Sequence, residues 1–549
     1  MDWNRLETYN DYNIRIIDGR IDRLMKLIKR LLALSLASII MSSLLVSCVK
    51  DGDLSSQDNA DDGTLPVVVK EEFDLPEDME VAKSIDFNAV AEFEDGELVE
   101  SNILSSLGGY SGSGYVDMES ENSSATVTID FPETGLYNIV IRNASNNEFK
   151  ENDVLIDGNP IGSLVTEQQR GWQEFAFEGM YIEKGERKIT VKKSWGWTYL
   201  DCVKIMPGED MPSDLYDVKT ELINENASDN AKRLMKYLDD SYGEYVLTGQ
   251  YAGNAKKSKE FKAIANTTGR YPAICGFDLI EYSPSRRLHG SKSDDVDNAI
   301  DWWEEGGIVT FAWHWNAPSK YLYKTDENPW WKGFYKEGTF IDLGKIMNGG
   351  DPDGYDLLIS DIDAIAKELK KLEDAGVPVL WRPLHEASGG WFWWGTSGPQ
   401  AFKDLWRTMY RRLTEHHGIN NLIWLWNGQD GDWYPGDEYV DMIGEDIYPP
   451  EHDYSSQKPR FNKAVSYTDS RKVIALSENG VIPDVDLMFR DGAIWSWFAV
   501  WEGDFVLETE GLSKYSEKYT EAEKLIKIYN HKRTITLDEL PNLKEYPLD

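Results

Sequence analysis

Cysteine is scarce in this chain, with Cys48, Cys202 and Cys275 the three present among 549 residues. No cysteine and histidine residues stand at metal-binding spacing, which argues against a zinc-finger type of site. Cys202 and Cys275 fall in strand-like runs of two different predicted domains. We therefore expect two small buried side chains rather than a disulfide.

Basic residues are also in short supply. There are 57 Lys and Arg against 96 Asp and Glu, a formal net charge of −39. Such a surface cannot neutralise phosphates, which excludes nucleic acid as a partner and disfavours a strongly anionic substrate. Aromatics, in contrast, are abundant, with 21 Trp and 28 Tyr. Aromatic clefts suit neutral sugars, although we expect more than half of the tryptophans to lie in the core.

The apolar run from Leu31 to about Val46 is shorter than a membrane span and follows three basic residues, Lys26, Lys29 and Arg30. This layout predicts a signal peptide over residues 1–48, with residue 25 as an alternative start. The sequence LVSC at its end resembles a bacterial lipobox, which implies a lipid on Cys48 and membrane attachment through that lipid alone. A single signal-anchor helix is the alternative.

An acidic, polar segment over residues 49–84 is typical of a solvated tether. Lys50, Asp51 and Asp53 follow Cys48 directly and resemble the surface-export signal of Bacteroidetes lipoproteins. We therefore expect a secreted lipoprotein of the outer membrane, exposed on the cell surface. Composition then divides the remainder into a first domain (85–207), a linker (208–223) and a second domain (224–549).

The first domain consists of short alternating runs, such as ATVTIDF, GLYNIVIR and KITVKK, which predict an antiparallel β-sandwich. Three segments, AEFED (91–95), YSGSGYV (110–116) and WGWTYLDCVKI (195–205), resemble carbohydrate-binding modules of family 35 or the related family 6. The resemblance implies a jelly roll with adjacent first and last strands and a structural Ca²⁺ held by Glu92, Glu94 and Asp201, an oxygen-only ligand set. The alternative is that these three acids are surface charges on edge strands and hold no metal ion. Trp195 would hold sugar or pack in the core, and we expect Trp172 in the core.

The second domain alternates apolar strand runs with amphipathic helical stretches such as 361–376 and 400–417. Strands that are apolar along their length indicate a parallel sheet buried on both faces. Eight such units predict an α/β fold, a (β/α)8 TIM barrel. The eight strand windows are 245–251, 273–280, 308–315, 377–386, 422–427, 440–448, 473–480 and 493–501.

Polar and aromatic residues gather at the carboxyl ends of these windows, which meet on one face of a barrel. Glu386 ends the fourth strand and Glu478 the seventh, while Glu445 and Asp446 lie near the end of the sixth. Two carboxylates facing each other across a barrel mouth can act as acid/base and nucleophile. Retention of anomeric configuration requires carboxyl groups about 5–5.5 Å apart.

The motifs WRPLHE, GGWFWWG, GEDIYPP and ALSENG together resemble glycoside hydrolase family 26, a retaining barrel family. The resemblance implies that Glu386 is the general acid/base, that Glu478 is the nucleophile and that catalysis needs no cofactor. It also implies substrate contacts or supporting roles for His314, His385, Trp391, Asp446, Tyr448 and Trp501. Trp393 and Trp394 either build further subsites or pack within their loop.

The function implied by this resemblance is endo-acting hydrolysis of β-1,4-mannosidic bonds in mannan, galactomannan or glucomannan by a monomeric enzyme. A mixed-link β-1,3-1,4-glucanase, an exo-acting mannobiohydrolase and a β-1,3-xylanase remain alternatives on the same scaffold. A non-catalytic glycan-binding surface lipoprotein is the alternative of a different class, and it predicts the loss of one carboxylate. The insert at 322–354 either blocks or extends the cleft.

Overall fold

The computed structural model describes residues 82–548, except residues 147–149, 167–168, 210–211, 213 and 509–512. The predicted signal peptide, the lipid-bearing Cys48 and nearly all of the tether lie outside the described residues. Within the described ranges, no helix combines the length and the apolar character needed to cross a membrane.

The first domain is a sandwich of two antiparallel sheets, with strand orders β3-β4-β11-β6-β9 (β1 also pairs with β11) and β2-β5-β10-β7-β8. In β5 every second residue is buried, from Ala125 to Phe131, so one face of the strand supplies the core between the sheets. The predicted sandwich is thereby confirmed. Its strands are β1 Ala89–Glu92, β2 Glu97–Val99, β3 Asn102–Leu104, β4 Tyr115–Asp117, β5 Ser124–Phe131, β6 Gly135–Asn146, β7 Lys150–Ile156, β8 Asn159–Thr166, β9 Arg170–Ile182, β10 Gly185–Trp195 and β11 Tyr199–Pro207.

The second domain is a closed barrel of eight parallel strands, each inside one of the predicted windows, which confirms the (β/α)8 fold. The barrel strands are β13 Gly249–Tyr251, β14 Ile274–Asp278, β15 Ile308–Trp313, β16 Val379–Pro383, β17 Leu422–Trp426, β18 Met442–Ile447, β19 Ile474–Asn479 and β20 Phe498–Val500. The first window holds two strands rather than one. Its first half is β12 (Val246–Leu247), which pairs in parallel with β21 (Thr534–Ile535) outside the barrel sheet.

Helices pack around the barrel, and capping side chains define where several begin. Ser228 and Ser258 each accept a backbone N–H at a helix start, and Asp351 does so ahead of Pro352. The helix that follows Asp351 therefore begins at Pro352, nine positions before the helical stretch predicted at 361–376. The helices are α1 Asp229–Ser241, α2 Lys259–Thr268, α3 Pro284–Arg287, α4 Asp295–Glu304, α5 Leu343–Met347, α6 Pro352–Asp374, α7 Gly398–Tyr410, α8 Lys458–Val465, α9 Val485–Asp491 and α10 Ala522–Tyr529.

Most of the tryptophan side chains lie in the hydrophobic core. Among the residues that the structure describes, twelve tryptophans are fully buried, which is more than half of the 21 in the sequence, as expected. Cys202 and Cys275 are both free and buried, which confirms that they act as small apolar side chains.

Candidate active site

Glu386 and Glu478 stand at the carboxyl ends of β16 and β19, and the barrel brings them together. One carboxylate oxygen from each, and one from Asp446, lie within 4.8 Å of one another. This spacing matches a retaining pair, in which one carboxylate attacks the sugar directly, and is too short for the wider gap of an inverting pair.

Glu386 is held in an unusual backbone conformation. Its φ angle is 52°, in the left-handed region, and its N–H donates to the carbonyl oxygen of Asn427 at 2.7 Å. The indole N–H of Trp391 donates to Glu386 Oε2 at 2.8 Å. Burial, together with the negative charge of Glu478, raises the pKa of Glu386 to about 7. A carboxyl group with this pKa can give up a proton near neutral pH and take it back.

Glu478 is bound through both of its oxygens. The guanidinium of Arg382 donates to Oε2, and the hydroxyl of Tyr448 donates to Oε1. Arg382 is fully buried and also donates to Asp446 Oδ2 at 2.6 Å. These donors fix the orientation of the carboxylate, which is what a nucleophile that must approach one carbon atom requires.

Asp446 supports the pair from beneath. Its Oδ1 accepts hydrogen bonds from Asn427 Nδ2 at 2.8 Å and Ser477 Oγ at 2.9 Å, in addition to the contact with Arg382. Because Asn427 also accepts the Glu386 N–H, this network connects the backbone of Glu386 to the carboxylate of Glu478 through Asp446 and Arg382.

Glu445, by contrast, does not reach the site. Its carboxylate is fully buried and binds Arg460 and Tyr467. Neighbouring residues of a strand point to opposite faces, so Glu445 faces the surrounding helices while Asp446 faces the barrel interior.

Two histidines and an aspartate form a chain along one side of the site. His314 Nδ1 binds the carboxylate of Asp278, and His314 Nε2 lies 3.1 Å from His385 Nε2. Burial opposes protonation of His314, but the charge of Asp278 outweighs it and raises the His314 pKa. Burial and the nearby charge of Arg382 hold the pKa of His385 well below its usual value. These opposite shifts favour a hydrogen bond from His314 Nε2–H to His385 Nε2. The His385 Nδ1 atom is buried and has no hydrogen-bond partner among the described residues.

Aromatic side chains define the rest of the site. The ring of Trp501 packs 4.8 Å from Tyr251 and 5.7 Å from His314, as a floor beneath the carboxylates would. Trp391 and Tyr448 remain 40% and 42% exposed, so their rings can meet a ligand. Trp393 and Trp394 are fully buried, and their indoles donate to the carbonyl oxygens of Trp315 and His385. They pack within their loop and support the site without lining it.

The insert at 322–354 extends the wall of the site. The ring of Tyr335 stacks on Phe392 at 5.6 Å, and the N–H of Lys336 donates to the carbonyl oxygen of Trp391 at 2.8 Å. Burial and the charge of Glu386 raise the pKa of Tyr335. Sequence reasoning gave no role to Tyr335, Asp278, Arg382 or Asn427. The last three stand at or next to strand ends, the same signal that located Glu386.

In the sandwich, Glu92, Glu94 and Asp201 surround the loop at 111–114. Ser111 Oγ lies 2.7 Å from Glu92 Oε2 and 3.2 Å from Asp201 Oδ2, and Glu94 Oε1 accepts the N–H of Ser113 at 2.7 Å. Glu94 Oε2 is buried with no hydrogen-bond partner among the described residues, as a cation ligand would be. The guanidinium of Arg142 binds Asp201 and supplies positive charge at one side of this group.

Two tryptophans of the sandwich were assigned from the sequence. Trp172 is only partly buried, and its indole donates to Gly108 O at 3.1 Å, so the expectation of a core residue was wrong. The ring instead packs at the domain surface, 5.4 Å from Tyr115 and 5.2 Å from the Arg142 guanidinium. Trp195 is the last residue of β10, where its backbone lies opposite Glu151.

Among the described residues, Glu386, Asp446 and Glu478 are the acids whose oxygens approach closely enough to share a metal ion. Their oxygens already accept hydrogen bonds from Trp391, Arg382 and Tyr448. A cation between them would have to compete with the buried guanidinium of Arg382. The arrangement suits proton transfer and nucleophilic attack better than metal binding.

Comparison with known proteins agrees with this geometry. The family model of Glycosyl hydrolase family 26 matches residues 223–539, and that of Carbohydrate binding module (family 35) matches residues 89–208. A mannan endo-1,4-beta-mannosidase of Thermothelomyces thermophilus is 38% identical over 450 residues, which cover 82% of this chain and 90% of that protein. Mannan endo-1,4-beta-mannosidase A of Piromyces sp is 34% identical over 462 residues, covering 82% of this chain and 72% of that protein.

A solved structure has the same two-domain arrangement. The crystal structure of a Podospora anserina GH26-CBM35 beta-(1,4)-mannanase superposes with a TM-score of 0.59 at 37% identity, covering 84% of this chain and 100% of that one. The family resemblances noted in the sequence are thereby confirmed. With a barrel match over more than half its length and relatives of this similarity, the chain belongs to glycosyl hydrolase family 26.

Proposed function

We propose that this protein is an endo-β-1,4-mannanase that hydrolyses mannan-type polysaccharides with retention of configuration. The observation that carries the proposal is the close pair Glu386 and Glu478, one with its pKa raised to about 7 and the other clamped by Arg382 and Tyr448. The relatives named above support mannan as the substrate, because two of them are mannan endo-1,4-beta-mannosidases.

The reaction follows from the protonation states of the pair. Protonated Glu386 donates its proton to the glycosidic oxygen as the Glu478 carboxylate attacks the anomeric carbon, and the leaving chain departs. The covalent ester cancels the charge of Glu478, so the pKa of Glu386 falls. Glu386 then accepts a proton from water, which attacks the same carbon and restores Glu478.

The test is a substrate panel of galactomannan, glucomannan, lichenan and xylan, assayed by release of reducing ends. We expect activity on the first two, with viscosity falling early, as endo cleavage predicts. Proton NMR of the first product formed should show the β anomer. Hydrolysis of lichenan alone would replace mannan by a mixed-link glucan, and an α product would overturn the retaining mechanism.

We further propose that the sandwich holds a structural Ca²⁺ between Glu92, Glu94 and Asp201. The partnerless buried oxygen of Glu94 supports this, as does the preference of Ca²⁺ for oxygen ligands. In the structure the oxygens of the three acids do not form a close group and Asp201 binds Arg142, so Ca²⁺ binding requires Asp201 to exchange Arg142 for the ion. A chelator should lower the melting temperature of the protein, and added Ca²⁺ should restore it. Glu94→Gln should abolish that response, whereas Glu97→Gln, at an exposed position of β2, should preserve it.

The amino-terminal segment completes the proposal. We propose a monomeric, surface-exposed outer-membrane lipoprotein anchored through Cys48, on the basis of the lipobox-like LVSC. Cys48→Ala should move the protein from the membrane fraction to the soluble fraction. Unchanged partitioning would favour a signal-anchor helix, and size-exclusion chromatography tests the monomer.

A further inference from the structure

A cleft of about 660 Å³ lies between the sandwich and the barrel, within the usual range for ligand sites, roughly 300–1,000 Å³. On the sandwich side it is lined by residues of β8 and β9, including Ser163, Val165 and Phe175. On the barrel side the lining residues lie at the end of β18, in the segment that follows it, or in and just after α8. Two of them, Asp446 and Tyr448, are part of the active site described above. The hydroxyl of Tyr448 donates to Glu478, so one residue of the cleft lining contacts the nucleophile directly.

The two walls of the cleft are fixed against each other by direct contacts. Asn462 Nδ2 of α8 donates to the carbonyl oxygen of Glu178 in β9 at 3.2 Å. The guanidinium of Arg490 lies 5.1 Å from the ring centroid of Tyr181. Gly162 faces Pro459, and a Cβ at position 162 would make an ordinary van der Waals contact with the proline ring at 3.9 Å. The space between the domains is thus a formed site rather than a gap left by a loose linker.

The lining of the cleft is suited to a neutral glycan. Phe175, Val165 and the prolines at 449, 450 and 459 supply apolar surface, on which the faces of sugar rings pack. Ser163 and Asn462 add side chains that can form hydrogen bonds with sugar hydroxyls. Charges of both signs line the cleft, with Glu151, Glu178, Asp446 and Asp453 against Arg460 and Lys463. This mixed but mainly acidic lining disfavours an anion and is compatible with a neutral chain.

We infer that this cleft is a distal binding site for the same polysaccharide chain whose bond is cleaved at Glu386 and Glu478. Sugar residues beyond those at the carboxylates pass Tyr448 and lie between the barrel and the sandwich. The sandwich is then part of the substrate cleft and contributes Ser163, Val165 and Phe175 to it. The inference rests on the proposed mannanase function and adds where the rest of the chain binds.

The experiment compares a short and a long substrate. An activated aryl β-mannobioside reports on the catalytic centre, and mannohexaose reports on the centre together with the cleft. Ser163→Trp fills the cleft and Phe175→Ala removes apolar surface from it. For each variant we expect the ratio of kcat/KM on mannohexaose to kcat/KM on the mannobioside to fall about tenfold, the size of one good contact in a binding site. Thr128→Trp is the matched control, because it lies at an exposed position of β5, in the sheet that also contains Ser163. It should leave the ratio unchanged.

Binding provides a second measurement. In the inactive Glu478→Ala background, calorimetry with mannohexaose should show a Kd about tenfold weaker when Ser163→Trp is added. A ratio and a Kd that match those of the parent proteins would overturn the distal site while leaving the mannanase function intact. Failure of the unaltered enzyme on both substrates would instead overturn the proposed function, and the inference with it.

Discussion

The hydrogen bond from Trp391 to Glu386 makes the pH dependence of the enzyme a direct test of the acid/base assignment. Burial and the charge of Glu478 raise the pKa of Glu386 to about 7, and the indole N–H, 2.8 Å from Oε2, opposes that rise by stabilising the carboxylate. Trp391→Phe keeps an aromatic ring but removes this donor. The pKa of Glu386 should therefore rise further.

The size of the shift follows from the exposure of the donor. A hydrogen bond to a charged group contributes about 1.5–3 kcal/mol when it is buried. Trp391 is 40% exposed, and water partly replaces the lost donor, so about 1 kcal/mol is the expected effect. At 1.36 kcal/mol per unit, this equals a pKa increase of about 0.7.

The direction of the change in activity follows from the mechanism. Glu386 must be protonated to cleave the bond, so kcat/KM is retained below its pKa and lost above it. In Trp391→Phe the alkaline limb of kcat/KM should move to higher pH by about 0.7 unit. The assay is kcat/KM on soluble galactomannan across the pH range, with Trp331→Phe, 46% exposed on the insert, as the control. An alkaline limb that stays in place or moves to lower pH would refute the assignment of Glu386.

Three further predictions follow from the same network and from one buried acid. Glu478→Ala should abolish turnover, whereas Glu386→Ala should keep activity on aryl glycosides with good leaving groups; an equal loss on such substrates would contradict the separate roles. Arg382→Met leaves two acids without their buried cation and should lower the free energy of unfolding by about 3–5 kcal/mol in denaturant titration, with a near-normal value counting against the clamp. Burial raises the pKa of Asp361 to about 7, and the indole of Trp315 is its hydrogen-bond partner. The unfolded state loses this proton at lower pH than the folded state does. The free energy of unfolding therefore falls as the pH rises from about 4 to about 7. Asp361→Asn should remove this dependence on pH, so that above pH 7 the variant gains at most about 4 kcal/mol in free energy of unfolding relative to the wild type. If the variant keeps the wild-type slope, Asp361 is not the source of that slope.

The barrel and its two carboxylates could be predicted because both signals are local. Each strand window contains a buried run, and the residue that ends the run must lie on the catalytic face. The partners of those carboxylates were harder to predict, because they come from other strands. Arg382 binds Asp446 and Glu478, which lie 64 and 96 positions further along the chain. No local pattern specifies such pairs.

The direction in which individual side chains point was also hard to predict from the sequence. Glu445 and Asp446 are adjacent in a polar segment, yet one binds Arg460 outside the barrel and the other supports the nucleophile. Alternation along the strand predicts that the two side chains point to opposite faces, but not which of them faces the barrel interior, because both are acids. Trp172 shows the same difficulty in the sandwich, since its apolar character suggested the core while its position in β9 leaves it near the surface.

The parallel pair of β12 and β21 has a consequence for how the molecule is made. Val246 and Leu247 precede the first barrel strand, and their partners, Thr534 and Ile535, lie 288 positions further along the chain, beyond the last barrel strand. Thr248 adds a hydrogen bond to Ile535 across 287 positions. These bonds cannot form until all eight barrel strands and the segment that follows them have been synthesised. Assembly at the foot of the barrel is therefore a late event with a large loop to close, and deletion of residues 534–548 should loosen the first strand although it removes nothing from the catalytic face.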